Sequence, residues 1–485
     1  MTIQVLTVVS EVFPLVKTGG LADVAGALPG ALSAEDVAVR TLVPGYPVVL
    51  RALEGGVAVA HFELFGGEAR VIAAKAAGLD LFAIDAPHLY ARDGDPYRAP
   101  DGHEWGDNAF RFAGLSRVAL LLAQGVVEGY RPDVVHAHDW QAGLTPAYLH
   151  YAGVHTPTVM TLHNLAFQGQ FPAYLLGALG FPAEAYNIHG IEYYGAIGYL
   201  KAGLQFADRI TTVSPTYAAE IRSPAMGMGM DGLLRSRADV LSGILNGIDT
   251  TVWDPAHDPH VVGDRAANKA AVQERFGIRR DAAGPLFGMI SRLSEQKGID
   301  LVLAALPVLL GAGAQLVLVG SGDWGFEAAV RGAAGPDVGV WIGYDEGLAH
   351  LVQGGCDALL VPSRFEPCGL TQLCAMRYGT LPVVSHVGGL CDTVIDANEM
   401  ALAKGLGTGF HFSPVQWEML AAAILRAVSV WRQPEMWRML QRNAMAVDVS
   451  WTGPARRYAA LYRDVMHRTV ATDDTLQRIE ATVAA

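Results

Sequence analysis

Four short clusters in this 485-residue sequence combine residue types that can hold a phosphate and a sugar. The first is Lys17-Thr18-Gly19-Gly20-Leu21-Ala22-Asp23-Val24, which follows an uncharged apolar run from Ile3 to Ser10. A buried strand that turns through two glycines into a helix brings backbone N–H groups, a helix N-terminus and one lysine charge onto an anion such as a phosphate. The second cluster, Ser291 to Gly298, sets Arg292 and Lys297 five residues apart across another strand-to-helix turn. Fixed cations there stabilise the negative charge that develops on a departing nucleoside diphosphate, more in the transition state than in the ground state. Taken alone, the same two residues also read as an exposed basic pair at a helix start.

The third cluster is Pro362-Ser363-Arg364-Phe365-Glu366-Pro367-Cys368-Gly369-Leu370-Thr371-Gln372. Glu366 is expected to close a strand just before a helix opens. A carboxylate there stays anionic and can accept hydrogen bonds from sugar hydroxyls, while the amides of Gly369, Leu370 and Thr371 suit a phosphate. Plain helix capping is the alternative. The fourth cluster places histidines at two strand ends, His136-Ala137-His138-Asp139-Trp140 and Thr161-Leu162-His163-Asn164. His136, His138, Asp139 and His163 are usable metal donors. His136 and His138 share one strand face, however, whereas metal ligands converge from several elements. Hydrogen bonding to a hydroxylated ligand is the expectation, with no metal.

The elements that must carry these clusters alternate. Strand candidates are 3–10, 39–43, 79–85, 133–137, 158–163 and 209–213, with helical patterns between them such as 110–127. The alternation restarts with 285–291, 315–319, 338–342, 358–362, 381–385 and 409–412. Repeated βα units imply parallel sheets covered on both faces, hence two doubly wound domains. An unpatterned stretch rich in Pro, His and Asp after Trp253 puts the change of domain near residues 243–265. Ligands of such sheets bind outside the carboxyl ends of the strands, and the cleft between two such domains is the expected site.

Composition bounds the partners. The net charge is −13 and no long basic block occurs, which argues against nucleic acid or an anionic membrane. Residues 301–320 carry no charge and are long enough to span a bilayer. Pro307, Gly311 and Gly313 interrupt them, so a helix followed by a strand is expected. No secretory signal is evident in residues 1–16. Cys356, Cys368, Cys374 and Cys391 contain no C-x-x-C pair, which favours reduced thiols in a cytoplasmic protein.

Together, Lys17–Leu28 (KTGGLADVAGAL), His136–Gly143 (HAHDWQAG), Thr161–Gly169 (TLHNLAFQG), Asn246–Asp249 (NGID), Arg292–Gly298 (RLSEQKG) and Pro362–Leu373 (PSRFEPCGLTQL) resemble bacterial glycogen synthases and plant starch synthases along essentially the whole chain. The resemblance implies an α/β GT-B fold, with two doubly wound Rossmann-like domains facing across a deep cleft. Residues 1–245 would form the acceptor side, completed by the helix 454–485, and residues 246–453 the donor side. It implies transfer of glucose from ADP-glucose to the non-reducing end of an α-1,4-glucan, with retention, release of ADP, and no metal or other cofactor.

The family's roles carry over at matching positions. Lys17, Gly19 and Gly20 are expected near the diphosphate and the transferred glucose, and Asp23 and Asn246 near sugar or ribose. Arg292 and Lys297 are expected on the diphosphate and Tyr344 on the adenine. His163 is expected at the glucose with its main chain near the reacting carbon, Glu366 on the glucose hydroxyls and Tyr97 by the sugar or acceptor. His138, Asp139, Asn164, Cys368, Gly369, Leu370 and Thr371 complete the substrate-binding set. Broader GT-B families often carry a second glutamate eight residues after the first; here Cys374 stands at that position. A silent glucan-binding scaffold is the competing reading, but glucan binding alone needs no diphosphate cations. A dinucleotide oxidoreductase lacks support, because no G-x-G-x-x-G follows the first strand.

Overall fold

The computed structural model describes residues 2–261 and 263–483, with side chains as far as His467. The end of the expected 454–485 helix, residues 484–485, lies outside the described residues. Two compact units divide the chain. Unit 1 is Met1–Val213, Ala218–Asn246 and Trp451–Ala485; unit 2 is Ser214–Tyr217 and Gly247–Ser450.

Unit 1 is built on twelve strands: β1 (Ile3–Val8), β2 (Val37–Pro44), β3 (Val57–Leu64), β4 (Gly67–Ala76), β5 (Leu79–Asp85), β6 (Val134–His138), β7 (Thr158–Leu162), β8 (Gln170–Pro172), β9 (Glu192–Tyr193), β10 (Ala196–Gly198), β11 (Arg209–Thr212) and β12 (Leu241–Gly243). Nine of them form one sheet in the order β12-β11-β7-β6-β1-β2-β5-β4-β3, and β8, β10 and β9 form a small separate sheet. The run from β12 to β5 is parallel. Its strands are almost wholly buried, as sheets covered on both faces require.

The expectation of parallel sheets is corrected twice, first by the small sheet, in which β10 pairs antiparallel with both β8 and β9. Second, β3 and β4 add an antiparallel edge to β5. Both hairpins turn through two left-handed residues, Phe65-Gly66 (φ 46° and 82°) and Ala77-Gly78 (φ 50° and 78°), the geometry that matches strand twist in two-residue loops. The C-terminal helix Thr452–Val483 returns to unit 1, where Tyr458 and Tyr462 are buried with Ile3, Val5, Leu28 and Val134.

Unit 2 has one parallel sheet of β13 (Leu286–Ile290), β14 (Gln315–Gly320), β15 (Val338–Ile342), β16 (Ala358–Val361), β17 (Leu381–Ser385) and β18 (Phe410–Phe412), in the order β15-β14-β13-β16-β17-β18. The uncharged 301–320 stretch divides into the end of helix Ile299–Gly311 and the strand β14. Among the described residues no helix is long and apolar enough to cross a membrane. Ser214–Tyr217 lies inside the 1–245 range yet belongs to unit 2. Ser214 Oγ donates to the Pro367 carbonyl at 2.7 Å, and Thr216 donates through its amide and hydroxyl to Asp392 at 2.8 and 2.7 Å.

Candidate functional site

In unit 1 the chemistry gathers beyond the carboxyl ends of the neighbouring strands β1, β6 and β7. Beyond β1, Gly19 precedes helix Gly20–Ser33 in an extended conformation (φ −158°) that any residue can adopt. A Cβ added at Gly19 would meet nothing within 4 Å. Neither strain nor packing requires glycine there, so the missing side chain leaves room for a ligand's close approach. Lys17 Nζ pairs with Asp23 Oδ1 at 2.8 Å, both side chains about a third exposed. The two residues expected at the phosphate and at the sugar therefore hold each other.

Glu11 organises this loop, and the motifs did not reveal it. Its carboxylate is 3 % exposed and accepts from the Thr18 amide, from Thr18 Oγ1 at 2.9 Å, from the Gly19 amide at 3.3 Å and from Tyr97 Oη at 2.8 Å. Ser10 Oγ lies 2.9 Å from the same tyrosine hydroxyl. Burial raises the Glu11 pKa above the usual carboxylate range, against the lowering effect of these donors. The available sequence signal was a single acid between apolar Ile3–Ser10 and the glycine loop. Tyr97, expected at the sugar, thus has its hydroxyl on the carboxylate that shapes the loop.

A stack of neutral imidazoles runs from the last residues of β6 to the first residue after β7. His136 Nδ1 is 2.8 Å from Tyr462 Oη and its Nε2 is 2.6 Å from Thr161 Oγ1. His138 Nδ1 is 2.9 Å from His163 Nε2. His138 Nε2 is buried without a hydrogen-bond partner among the described residues. Burial lowers His136 and His163 to about 3 and His138 well below its usual value. Asp139 (φ 55°, ψ −176°) holds a backbone conformation otherwise confined essentially to glycine, and its Oδ1 accepts the His163 amide at 2.7 Å. Burial raises Asp139 to about 7, against the lowering effect of the His163 and Asn164 amides. Asn164 Oδ1 accepts the Ala166 amide at 3.0 Å. Asn246, beyond β12, is 8 % exposed, and among the described residues its Oδ1 has no hydrogen-bond partner, an arrangement that costs about 1–3 kcal/mol.

These shifts make unit 1 acid-sensitive. Three histidines with depressed folded pKa values take up protons on unfolding, so their contribution is lost as pH falls below about 6.5. Asp139, raised to about 7, and Glu11, raised above the usual carboxylate range, act in the opposite sense. Three lowered histidines against two raised acids leave the unfolded chain binding more protons, so stability falls on acidification. Urea midpoints measured at pH 7 and pH 5 are expected to fall on acidification; an equal or higher midpoint at pH 5 contradicts the balance.

In unit 2 the site gathers beyond β13 and β16. Lys297 Nζ lies 2.5 Å from Glu366 Oε2, which also accepts from Ser363 Oγ at 2.8 Å. Glu366 does not close a strand, because β16 ends at Val361 and the carboxylate sits in the following loop. Gly369 (φ 71°) then turns the chain toward helix Thr371–Arg377. Gly389 N donates to the Glu366 carbonyl at 3.0 Å, and Gln372 Nε2 donates to the carbonyls of Cys368 and Gly369 at 3.0 and 2.9 Å. A Cβ at Gly389 would sit 2.4 Å from Cys368 Cα. Cys368 is 4 % exposed, whereas Leu370 and Thr371 are half-buried. Arg292 is exposed, and among the described residues its guanidinium makes no ion pair. Tyr344, just beyond β15, is 73 % exposed.

Each unit thus brings its own predicted residues together: Gly19 and Tyr97 through Glu11, Lys17 with Asp23, and His138, Asp139, His163 and Asn164 around β6 and β7. In unit 2, Lys297, Glu366 and the Cys368–Thr371 loop form the corresponding group. Comparison with known proteins agrees with this division. The family model described as the starch synthase catalytic domain matches residues 4–236, and that of glycosyl transferases group 1 matches residues 273–444. The glycogen synthase of Rhodopseudomonas palustris is 60 % identical over 479 residues, covering 96 % of this chain and 99 % of the relative. That of Acidiphilium cryptum is 58 % identical over 478 residues, covering 96 % and 100 %. The catalytic domain of Arabidopsis thaliana starch synthase IV, bound to ADP and acarbose, superimposes with a TM-score of 0.87 at 30 % identity, covering 96 % of this chain and 100 % of that domain. With two Rossmann-like α/β units of the GT-B class and relatives this similar over nearly its whole length, the chain belongs to the glycogen synthase family of glycosyltransferases.

Proposed function

We propose that the chain transfers glucose from ADP-glucose to the non-reducing end of an α-1,4-glucan such as glycogen, with retention and release of ADP, in the cytoplasm. The observation that carries this reading is the Lys297–Glu366 pair at 2.5 Å, its lysine in the segment after β13 that also carries an exposed Arg292 without an ion-pair partner among the described residues. In an acidic chain, such cations concentrated at one sheet edge suit a diphosphate. Arg292 and Lys297 bind the diphosphate and stabilise it as the C1–O bond breaks, and Glu366 holds the glucose hydroxyls. Gly369, Leu370 and Thr371 offer amides to phosphate oxygens. On unit 1, Lys17, Gly19 and Gly20 attend the transferred glucose, with His163, His138, Asp139 and Asn164 as neutral or hydrogen-bonded partners for its hydroxyls. The charge that a divalent cation can supply to a diphosphate comes from the arginine and lysine, so no metal or cofactor is needed.

Retention follows by a front-face route: the acceptor 4-hydroxyl attacks the anomeric carbon on the face the diphosphate leaves, and its proton passes to the departing phosphate oxygen. Double displacement needs a free carboxylate beneath the sugar. Glu11 and Asp139 are occupied with the chain's own amides, which supports the front-face route. A glucosyl–enzyme adduct trapped in the mass spectrometer would overturn it.

The test of the whole reading is ADP release and glucose incorporation into glycogen, with ADP-glucose and UDP-glucose compared side by side and chelator present. Faster turnover of ADP-glucose, unaffected by chelator, is expected; no incorporation from either donor would leave the glucan-binding scaffold. Gly19→Ala is a finer probe. The added methyl meets no protein atom, so stability should stay within about 0.5 kcal/mol of the parent. A drop in kcat/KM for the donor of roughly tenfold or more is expected where the backbone must approach the ligand. Unchanged kinetics would remove this loop from the site.

A further inference from the structure

Three consecutive strand ends of the unit 2 sheet are laced together. Gly343 N donates to the Gly320 carbonyl at 3.0 Å, joining the exits of β15 and β14. Leu293 N donates to the Ser321 carbonyl at 2.9 Å and Asp323 N to the Leu293 carbonyl at 2.8 Å, joining β14 to the segment that carries Arg292. In the sheet order β14 stands between β15 and β13. Tyr344 therefore leaves one edge of this trio, Arg292 the other, and the Ser321–Trp324 turn lies between them. With strands spaced about 4.8 Å apart, the two outer exits are separated by roughly 10 Å. A ligand reaching from Arg292 to Tyr344 must cross the middle turn.

That turn offers an aromatic ring and no anion site. Trp324, the first residue of helix Trp324–Gly332, is 81 % exposed; it and Tyr344 are the two most exposed tryptophan, tyrosine or phenylalanine residues among the described residues of unit 2. The turn's amide donors face carboxylates: Asp323 Oδ1 accepts from Gly325 N and Phe326 N at 2.8 and 3.3 Å, and Glu327 Oε1 from Gly322 N at 3.1 Å. Two acids on this turn repel a phosphate and leave it to Arg292 and Lys297. An uncharged planar group beside a rigidly capped turn meets no such penalty, and an indole face stacks on it.

We propose that Trp324 is a base-binding residue, stacking with Tyr344 on the purine ring of the nucleoside diphosphate whose phosphates lie at Arg292. The proposal rests on the nucleotide-sugar reading above and adds the element that reads the base. Calorimetry on the full chain, with ADP and with inorganic pyrophosphate as the base-free control, tests it. Trp324→Ala is expected to weaken ADP binding about tenfold while leaving pyrophosphate binding unchanged. Trp324→Phe is expected to keep most of the ADP affinity. Exposure of the side chain means that melting temperature should not move in either variant. Equal ADP affinity in Trp324→Ala and parent overturns the proposal, as does a parallel loss of pyrophosphate binding. Failure of the parent itself to bind ADP or use ADP-glucose would instead refute the donor assignment.

Discussion

Lys297→Ala is expected to lower kcat by about 10²–10³, the usual effect of deleting one charge partner of a transition state. The structure adds a second consequence. Lys297 Nζ is 2.5 Å from a Glu366 that is 6 % exposed, so the alanine variant also leaves a buried carboxylate uncompensated. Breaking such a pair costs on the order of 3–5 kcal/mol. The two effects separate in the double variant Lys297→Ala with Glu366→Gln. The neutral amide can still accept from Ser363 Oγ, so melting temperature should recover while turnover stays low. If the single variant lost stability but kept its kcat, Lys297 would be a structural partner of Glu366 and the leaving-group role would pass to Arg292 alone.

Glu11→Ala is the second large effect. The substitution strips an acceptor from the amides of Thr18 and Gly19 and from the hydroxyls of Thr18 and Tyr97. Thr18 and Gly19 are exposed, so water can take up their freed donors, and Tyr97 keeps Ser10 Oγ; without its shared acceptor the glycine loop is expected to leave its present geometry. A fall in kcat/KM of roughly 10²-fold is expected, as for misplacement of positioning groups by about 1 Å. Glu11→Gln separates shape from charge. It keeps the size and one acceptor oxygen, but turns an NH2 group toward one of the donors, so an intermediate loss is expected. Full activity in Glu11→Ala would show that the Lys17–Gly20 loop holds its form without this carboxylate.

Much of the site was legible because its residues sit in contiguous motifs at strand ends. Lys17 to Asp23, His136 to Asp139 and Pro362 to Gln372 each need only one turn of chain to be assembled. Every strand predicted from the apolar pattern was found, β5, β15 and β17 with the expected bounds. The antiparallel β3–β4 edge escaped because its turns are Phe-Gly and Ala-Gly, which lack the Asn-Gly or Asp-Gly signature of their left-handed geometry. The three short strands β8, β9 and β10 carry too few residues for a period to emerge.

By itself the sequence determined the parallel βα framework, the cationic turn at Arg292 and Lys297 and the histidine strand ends, since apolar periodicity and turn chemistry are local properties. Tertiary structure alone decided the partners. Glu11 meets Tyr97 across 86 residues, Lys297 meets Glu366 across 69, and His136 meets Tyr462 across 326. Such pairs depend on strand order, and strand order is set by how buried sheets and the returning C-terminal helix pack, which no window of neighbouring residues encodes.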